Sequence, residues 1–175
     1  MAPAPTSING WPVLPRGDRR LATKQIPGTR IRITARREVL PYLVGLAVDY
    51  ADTIAPLIPG EVGAYNYRPS RVTKAWSNHA SATAIDINFS HEGAQRLVNK
   101  KWWQRRRTAL DALKKKYKLM GWGGDWSDRY YDPMHWELKR GTSVAQVERE
   151  IRRLGLENLA PKSPSKRTSH VSDTP

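Results

Sequence analysis

Two short stretches, far apart in the chain, have to meet in any fold that makes sense of them. Residues 76–88 read Trp-Ser-Asn-His-Ala-Ser-Ala-Thr-Ala-Ile-Asp-Ile-Asn, and residues 132–137 read Asp-Pro-Met-His-Trp-Glu. His79 closes a loop, and Asp86, seven residues on, sits inside an apolar β-like run. His135 opens a second β-like run, with Asp132 three residues ahead of it. The fold must therefore bring separate parts of the chain to one point.

Two imidazoles and a carboxylate form a three-ligand set for zinc, which accepts nitrogen and oxygen donors and imposes no geometry of its own. No fourth ligand is evident near His79, Asp86 and His135. The set therefore reads as an open catalytic site, with one position left for a water whose pKa falls from about 15.7 to about 7. Asp132 is placed to take that water's proton and hand it to a leaving amine, and Pro133 makes the turn that lets Asp132 and His135 face one site. The alternative for Asp132 is a plain turn residue before proline. Strand alternation puts His135 and Glu137 on one face, so Glu137 is a candidate partner for the far nitrogen of a ligand imidazole. Arg68 precedes the site and could bind a carboxylate or an oxyanion, or be one more solvated cation. Ser77 is a weaker candidate beside His79. Trp122 and Trp126, set among Gly121, Gly123 and Gly124, read equally as cleft wall or core. The arrangement is not HExxH, which needs a helical turn.

The rest of the chain supplies the frame. Its 175 residues suit one domain with a core, and residues 161–175 read as a disordered tail rich in Ser, Pro and Lys. Residues 1–28, rich in Pro and Gly, read as an irregular lead-in, leaving 29–160 as the catalytic domain. A strand is expected at 29–34, with Ile31 and Ile33 on one face. Thr34 then caps a helix to about Asp52 that buries Leu43, Leu46, Ala47, Tyr50 and Ile54, with Pro41 tolerable only near its first turn. Further strands are expected at 62–67, 84–89 and 135–138. Ser90 is a candidate cap for a helix from about Glu92, with a break near Asn99. One helix is expected at 101–118, burying Trp103, Leu110, Leu113 and Tyr117, and residues 121–126 read as a flexible aromatic loop. Ser143 and Gln146 form a capping box for a last helix with Val144, Val147, Ile151 and Leu154 as its stripe, stopped at Gly155. His91 reads as a surface residue and His170 as part of the tail.

Composition narrows the partners. Cysteine is absent, which excludes disulfides and thiolate metal sites. The net charge of +14 predicts attraction to a polyanion: nucleic acid, an anionic membrane or an acidic wall polymer. No apolar run spans a bilayer, and the N-terminus lacks the basic and apolar regions of a secretory signal.

Ser77, Asn78 and His79, then Ala84, Ile85 and Asp86, then Asp132, Pro133, Met134 and His135 together resemble the D-alanyl-D-alanine carboxypeptidase and L-alanyl-D-glutamate endopeptidase family of zinc peptidases. The pattern there is S-x-H-x-x-G-x-A-x-D followed by [DE]-x-x-H. The likeness extends over residues 10–156, where the Asn-Gly-Trp-Pro-Val, Tyr-Arg-Pro and Trp-Gly-Gly-Asp-Trp stretches also look like lysins of actinobacterial phages. The resemblance implies an α+β fold in which a small antiparallel sheet, flanked by helices, carries one zinc ion. It also implies cleavage of the stem peptide of bacterial peptidoglycan. It assigns His79, Asp86 and His135 to the metal, Asp132 to catalysis and Arg68 to substrate or transition-state binding. One departure stands out: Ala82 occupies the family's glycine, and if that position needs positive φ the cost is on the order of 1 kcal/mol.

The reading that follows is a monomeric phage endolysin. It would wait in the host cytoplasm and then cut the wall, at L-alanyl-D-glutamate or alternatively at terminal D-alanine. A basic nucleic-acid binder is the contrasting reading, but no helix-turn-helix, zinc-finger or RNA-recognition signature supports a specific nucleic-acid partner. A relative that binds without cutting has only Ala82 in its favour.

Overall fold

The computed structural model describes residues 5–70, 73, 75–89 and 100–161. The expected Ser90 cap, the helix near Glu92, the break at Asn99, His91, His170 and the tail from 162 lie outside these residues. The fold is α+β. Strand β1 (Leu21–Gln25) pairs antiparallel with β2 (Arg32–Arg36), and helix α1 (Leu40–Thr53) follows. Strands β3 (Val62–Gly63), β4 (Ala84–Ile87), β5 (Met120–Trp122) and β6 (His135–Leu138) form a second antiparallel sheet in the order β3-β4-β6-β5. Helices α2 (Lys100–Arg105) and α3 (Arg107–Lys116) precede β5, and α4 (Val144–Arg153) follows β6.

The period-two rule sorts the four-stranded sheet into two unlike faces. Val62, Ile85, Ile87, Met120, Trp122, Trp136 and Leu138 are all buried on the core side. There Trp103, Trp122 and Trp136 stack in series, with ring centroids 5.8 and 5.9 Å apart. The other face carries Gly63, Ala84, Asp86, His135, Glu137 and Gly121. Because Asp86 pairs with His135 and Ala84 with Glu137, the chemistry-bearing side chains stand next to one another.

Helix α1 is the centre of the core. Leu40 to Ala47 are buried on every side, so it is more than an amphipathic surface helix. It touches the β1–β2 hairpin, β4, α3, α4 and the 3₁₀ turn Glu157–Leu159. Gly45 permits the last of these contacts, since a Cβ there would run into Leu156 and the Tyr117 hydroxyl. Pro41 falls in the first turn, where a missing N–H costs nothing. The expected stripe of Leu43, Leu46, Ala47, Tyr50 and Ile54 is buried.

Several expectations need correcting. The lead-in contains β1, closed onto β2 by a turn in which Pro27 is followed by Gly28 at φ 74°, the requirement of a type II turn. Thr34 lies inside β2 and pairs with Thr23; the residue before α1 is Val39, which offers no side-chain cap. The 62–67 strand shortens to two residues. The helix expected at 101–118 breaks at Arg106, whose guanidinium lies 3.6 Å from the Trp102 ring centre while its Nε donates to the Ile54 carbonyl. Trp103, Leu110, Leu113 and Tyr117 are nonetheless all buried. The 121–126 stretch is no loose loop: it is the end of β5 and a 3₁₀ turn, Gly123–Asp125. The capping box at Ser143 and Gln146 is present, but Val144 is 38% exposed and leaves the α4 stripe to Val147 and Ile151.

The 3₁₀ turn holds the residues ahead of β6. Asp132 N–H donates to the Gly123 carbonyl at 3.0 Å, and Trp122 Nε1 donates to the Pro133 carbonyl at 2.7 Å. A Cβ on Gly123 would collide with the Asp132 carbonyl oxygen, which is backbone and cannot rotate away. Gly123→Ala is therefore expected to lose about 1–3 kcal/mol, the usual cost of overpacking, as a lowered urea midpoint with unchanged slope.

Candidate metal centre

His79 is delivered by a compact turn. Ala80 N–H donates to the Ser77 carbonyl, Ala82 N–H to His79 and Thr83 N–H to Asn78. The last two bonds are the pair that ends a helix with a left-handed residue, and that residue is Ala82, at φ 58°. The position where the family pattern has glycine does require positive φ, and alanine accepts it here fully buried. Ser77 stitches the turn together: its Oγ accepts from His79 N–H at 3.2 Å, and its own N–H donates to the Arg68 carbonyl at 3.3 Å. Asp86 and His135 come from paired positions of β4 and β6. His135 is aimed by a β-turn in which its N–H donates to the Asp132 carbonyl at 3.0 Å, with Pro133 next after Asp132.

The hydrogen bonds decide which nitrogen of each ring faces the centre. His79 Nδ1 lies 2.5 Å from the Ala64 carbonyl, which can only accept, so Nδ1 carries the proton and Nε2 presents a lone pair. His135 Nε2 lies 2.9 Å from Glu137 Oε2, which leaves Nδ1 facing inward. The two inward nitrogens are 3.2 Å apart. Asp86 Oδ1 is 2.8 Å from His135 Nδ1, and Asp86 Oδ2 is 3.2 Å from His79 Nε2. One ligand atom from each residue falls within 4.8 Å of the others. Two lone pairs and a carboxylate turned toward one another repel unless a positive charge lies among them. The donor set thus fits a divalent cation bound by His79, Asp86 and His135, with Ala64 and Glu137 fixing the rings from behind.

Without a metal, a proton serves that need. Burial disfavours an imidazolium at His135, but its hydrogen bonds to Asp86 and Glu137 prevail and raise its pKa to about 10. Asp86 is half-buried and its desolvation opposes charge, yet His79 and His135 hold its carboxyl well below the ordinary range.

The remaining candidates are spread around this centre. Asp132 has its backbone fixed to Gly123 and His135, as described above, and is half-buried. Arg68 is half-buried; its Nη1 donates to the Pro69 carbonyl at 3.3 Å, while its Nε is buried with no hydrogen-bond partner among the described residues. Trp126, 37% exposed, has its ring 5.4 Å from that of His135. Trp122 is buried in the tryptophan stack under the sheet. The residues read from sequence did not include Asn9 or Asn78, which bond to the elements carrying the site. Asn78 lies inside the quoted motif, but the amide type alone does not tell which way it points.

His79, Asp86 and His135 on a small antiparallel sheet form a group that could hold a metal ion, as a metallopeptidase requires. Residues 70–138 match the family model described as D-alanyl-D-alanine carboxypeptidase, so this part of the chain is similar to peptidases of that family. The matched segment starts after Arg68 and ends with β6, so it includes His79, Asp86, Asp132, His135 and Glu137. No curated protein and no solved structure matches the chain.

The raised His135 pKa carries a sign. In chelator its ion pairs stabilise the fold fully below about pH 6.5, and that contribution is lost as pH rises through about 10. Thermal melts of metal-free protein are expected to fall across that window, and saturating metal is expected to flatten the fall. Metal affinity should rise with pH over the same range, because the ion displaces the proton. Ala82 gives a second expectation. Ala82→Val adds a branched side chain at positive φ in a full site and should cost on the order of 3 kcal/mol. Ala82→Gly should move stability by no more than about 1 kcal/mol, because relieved strain is offset by a lost buried methyl and a freer unfolded chain.

Proposed function

We propose that the protein is a zinc-dependent peptidoglycan hydrolase that cuts an amide bond in the stem peptide. The observation that carries this reading is the turning of two imidazole lone pairs and a carboxylate toward one point, within the segment matching the carboxypeptidase family. All-nitrogen-and-oxygen ligation with two histidines suits zinc better than magnesium or calcium, which favour oxygen. When bound, the ion would supply Lewis acidity and acidify a water. Asp132, beside the metal ligand His135 in sequence and turn, takes the proton of the attacking water and returns it to the leaving amine. Arg68, with guanidinium donors to spare, faces the negative charge that develops on the carbonyl oxygen. Trp126 flanks the scissile bond, and Ser77 holds Arg68 and His79 in one turn.

Within that class we favour an endopeptidase, at L-alanyl-D-glutamate, over removal of a terminal D-alanine. Among the described residues, glycine stands on both flanks of the site face. Gly63 stands opposite Asp86, and Gly121 opposite Glu137. A Cβ at Gly63 would meet nothing within 4 Å, and one at Gly121 would meet only the Glu137 carbonyl and the Lys139 side chain, at 3.8 and 3.9 Å. A peptide chain can run on past the centre in both directions, which exo cleavage does not need. The role that suits such an enzyme is phage lysis of a bacterial host, with the protein acting as a monomer and held in the cytoplasm until the membrane is breached. No helix among the described residues is long and apolar enough to cross a membrane.

Purified cell walls test the reading. Clearing should stop with chelator and return with zinc. Asp132→Ala should lower turnover by about 10²–10⁴-fold, the usual contribution of a general base, with zinc still bound. Mass spectrometry of the digest should show stem peptides cut at the L-alanyl-D-glutamate bond. Release of free D-alanine alone would instead select the carboxypeptidase.

A further inference from the structure

Behind the ligands lies a chain of polar contacts that starts outside the matched family segment. The turn at residues 7–11 is closed by Gly10, at φ 90°, whose N–H donates to the Ser7 carbonyl at 2.8 Å. It packs against the His79 turn through buried groups. Asn9 N–H donates to Asn78 Oδ1 at 2.9 Å. The Asn9 side-chain amide donates to Thr83 Oγ1 at 2.9 Å and to the Leu138 carbonyl at 3.0 Å. One residue thus clamps the end of the His79 turn to the end of β6. Asn78 passes the connection on: its Nδ2 donates to Glu137 Oε2 at 2.5 Å, the same oxygen that lies 2.9 Å from His135 Nε2.

We propose that Asn78 is a positioning residue for the metal centre, aiming the Glu137 carboxylate at the outer nitrogen of His135, with the turn at residues 7–11 as its brace. The inference rests on the reading of His79, Asp86 and His135 as metal ligands. Three facts support it. Asn78 is 2% exposed, so water does not compete for its amide. Its Oδ1 is fixed by a backbone donor, so the side-chain amide has one orientation and Nδ2 must face Glu137. Glu137 is partly exposed, so without this donor its carboxylate could turn to solvent and release the ring.

A double-mutant cycle tests this. Asn78→Asp keeps an acceptor for the Asn9 N–H but removes the donor to Glu137 Oε2 and sets a like charge against it. Glu137→Ala removes the carboxylate through which Asn78 acts. Zinc dissociation constants by competition with a chromophoric chelator, and melts of the metal-free proteins, are read for both single variants and for the double variant. The expected result is zinc binding weakened about 10–100-fold in Asn78→Asp and in Glu137→Ala, the usual cost of disturbing a ligand's outer partner, with Asn78→Asp adding no further loss in the Glu137→Ala background. Zinc affinity unchanged in Asn78→Asp, or a full additional loss when Asn78→Asp is added to Glu137→Ala, overturns the proposal. If Asn78→Asp alone does not fold, Glu137→Ala against the double variant decides: equal zinc affinity supports the relay and a further loss overturns it. Failure of the wild-type protein to bind zinc at all would strike the ligand reading, not the role of Asn78.

Discussion

The structure depends on one register. Asp86 of β4 pairs with His135 of β6, and with that pairing two of the three proposed metal ligands stand side by side on one face of the sheet. A slip of a single residue would send His135 and Glu137 into the core and bring Trp136 out to the cleft. The cost of that exchange sets the register. Trp136 is fully buried in a stack with Trp122 and Trp103, and burying an aromatic of this size is worth roughly 2–3 kcal/mol before any ring-ring preference. The apolar face thus holds the polar face in place.

The polar face in turn contains its own unresolved charge. Turning two imidazole nitrogens and a carboxylate inward is costly in a buried place, and each ring has its far nitrogen occupied, so neither can turn away. The arrangement stores a demand for a cation. A proton meets it at the expense of one lone pair, and a divalent ion meets it with both. Metal affinity and fold stability are therefore two expressions of the same electrostatic term.

The meeting of His79, Asp86 and His135 was legible because ligand-type residues in apolar β-like runs have few other reasons to recur together. The span of β6, the capping box at Ser143 and the buried stripe of α1 were legible for equally local reasons. The positive φ at Ala82 was expected only through the glycine of the family pattern. What escaped the sequence was set by tertiary contacts. Strand β1 has no alternation, because all five of its residues are half-buried or exposed with no clean face, and only the Pro27-Gly28 turn signals it. The break at Arg106 comes from a guanidinium stacked on Trp102 and bonded to the Ile54 carbonyl just past α1, which helical periodicity does not reveal. The order in residues 121–126 comes from a backbone contact between Gly123 and Asp132. The N-terminal brace was hidden because asparagine next to glycine reads equally as any surface turn.

The positive charge of the chain also reads differently once folded. Read from sequence, the net charge of +14 suggested attraction to a polyanion. Several cations of the α2–α3 region instead bind neighbouring elements. Arg107 and Lys114 pair with both Asp111 and Asp125, Lys116 pairs with Asp49 of α1, and Lys118 pairs with Glu150 of α4. Exposed pairs of this kind are worth about 0–1 kcal/mol each, so they add little to global stability. Their placement matters more. Asp125 belongs to the turn that leads into Trp126, whose ring lies 5.4 Å from that of His135. Two cations of α3 therefore hold the base of Trp126 in a network in which each charge has two partners. High salt would loosen this network at the base of Trp126 as well as screen the attraction of the remaining cations for a polyanion.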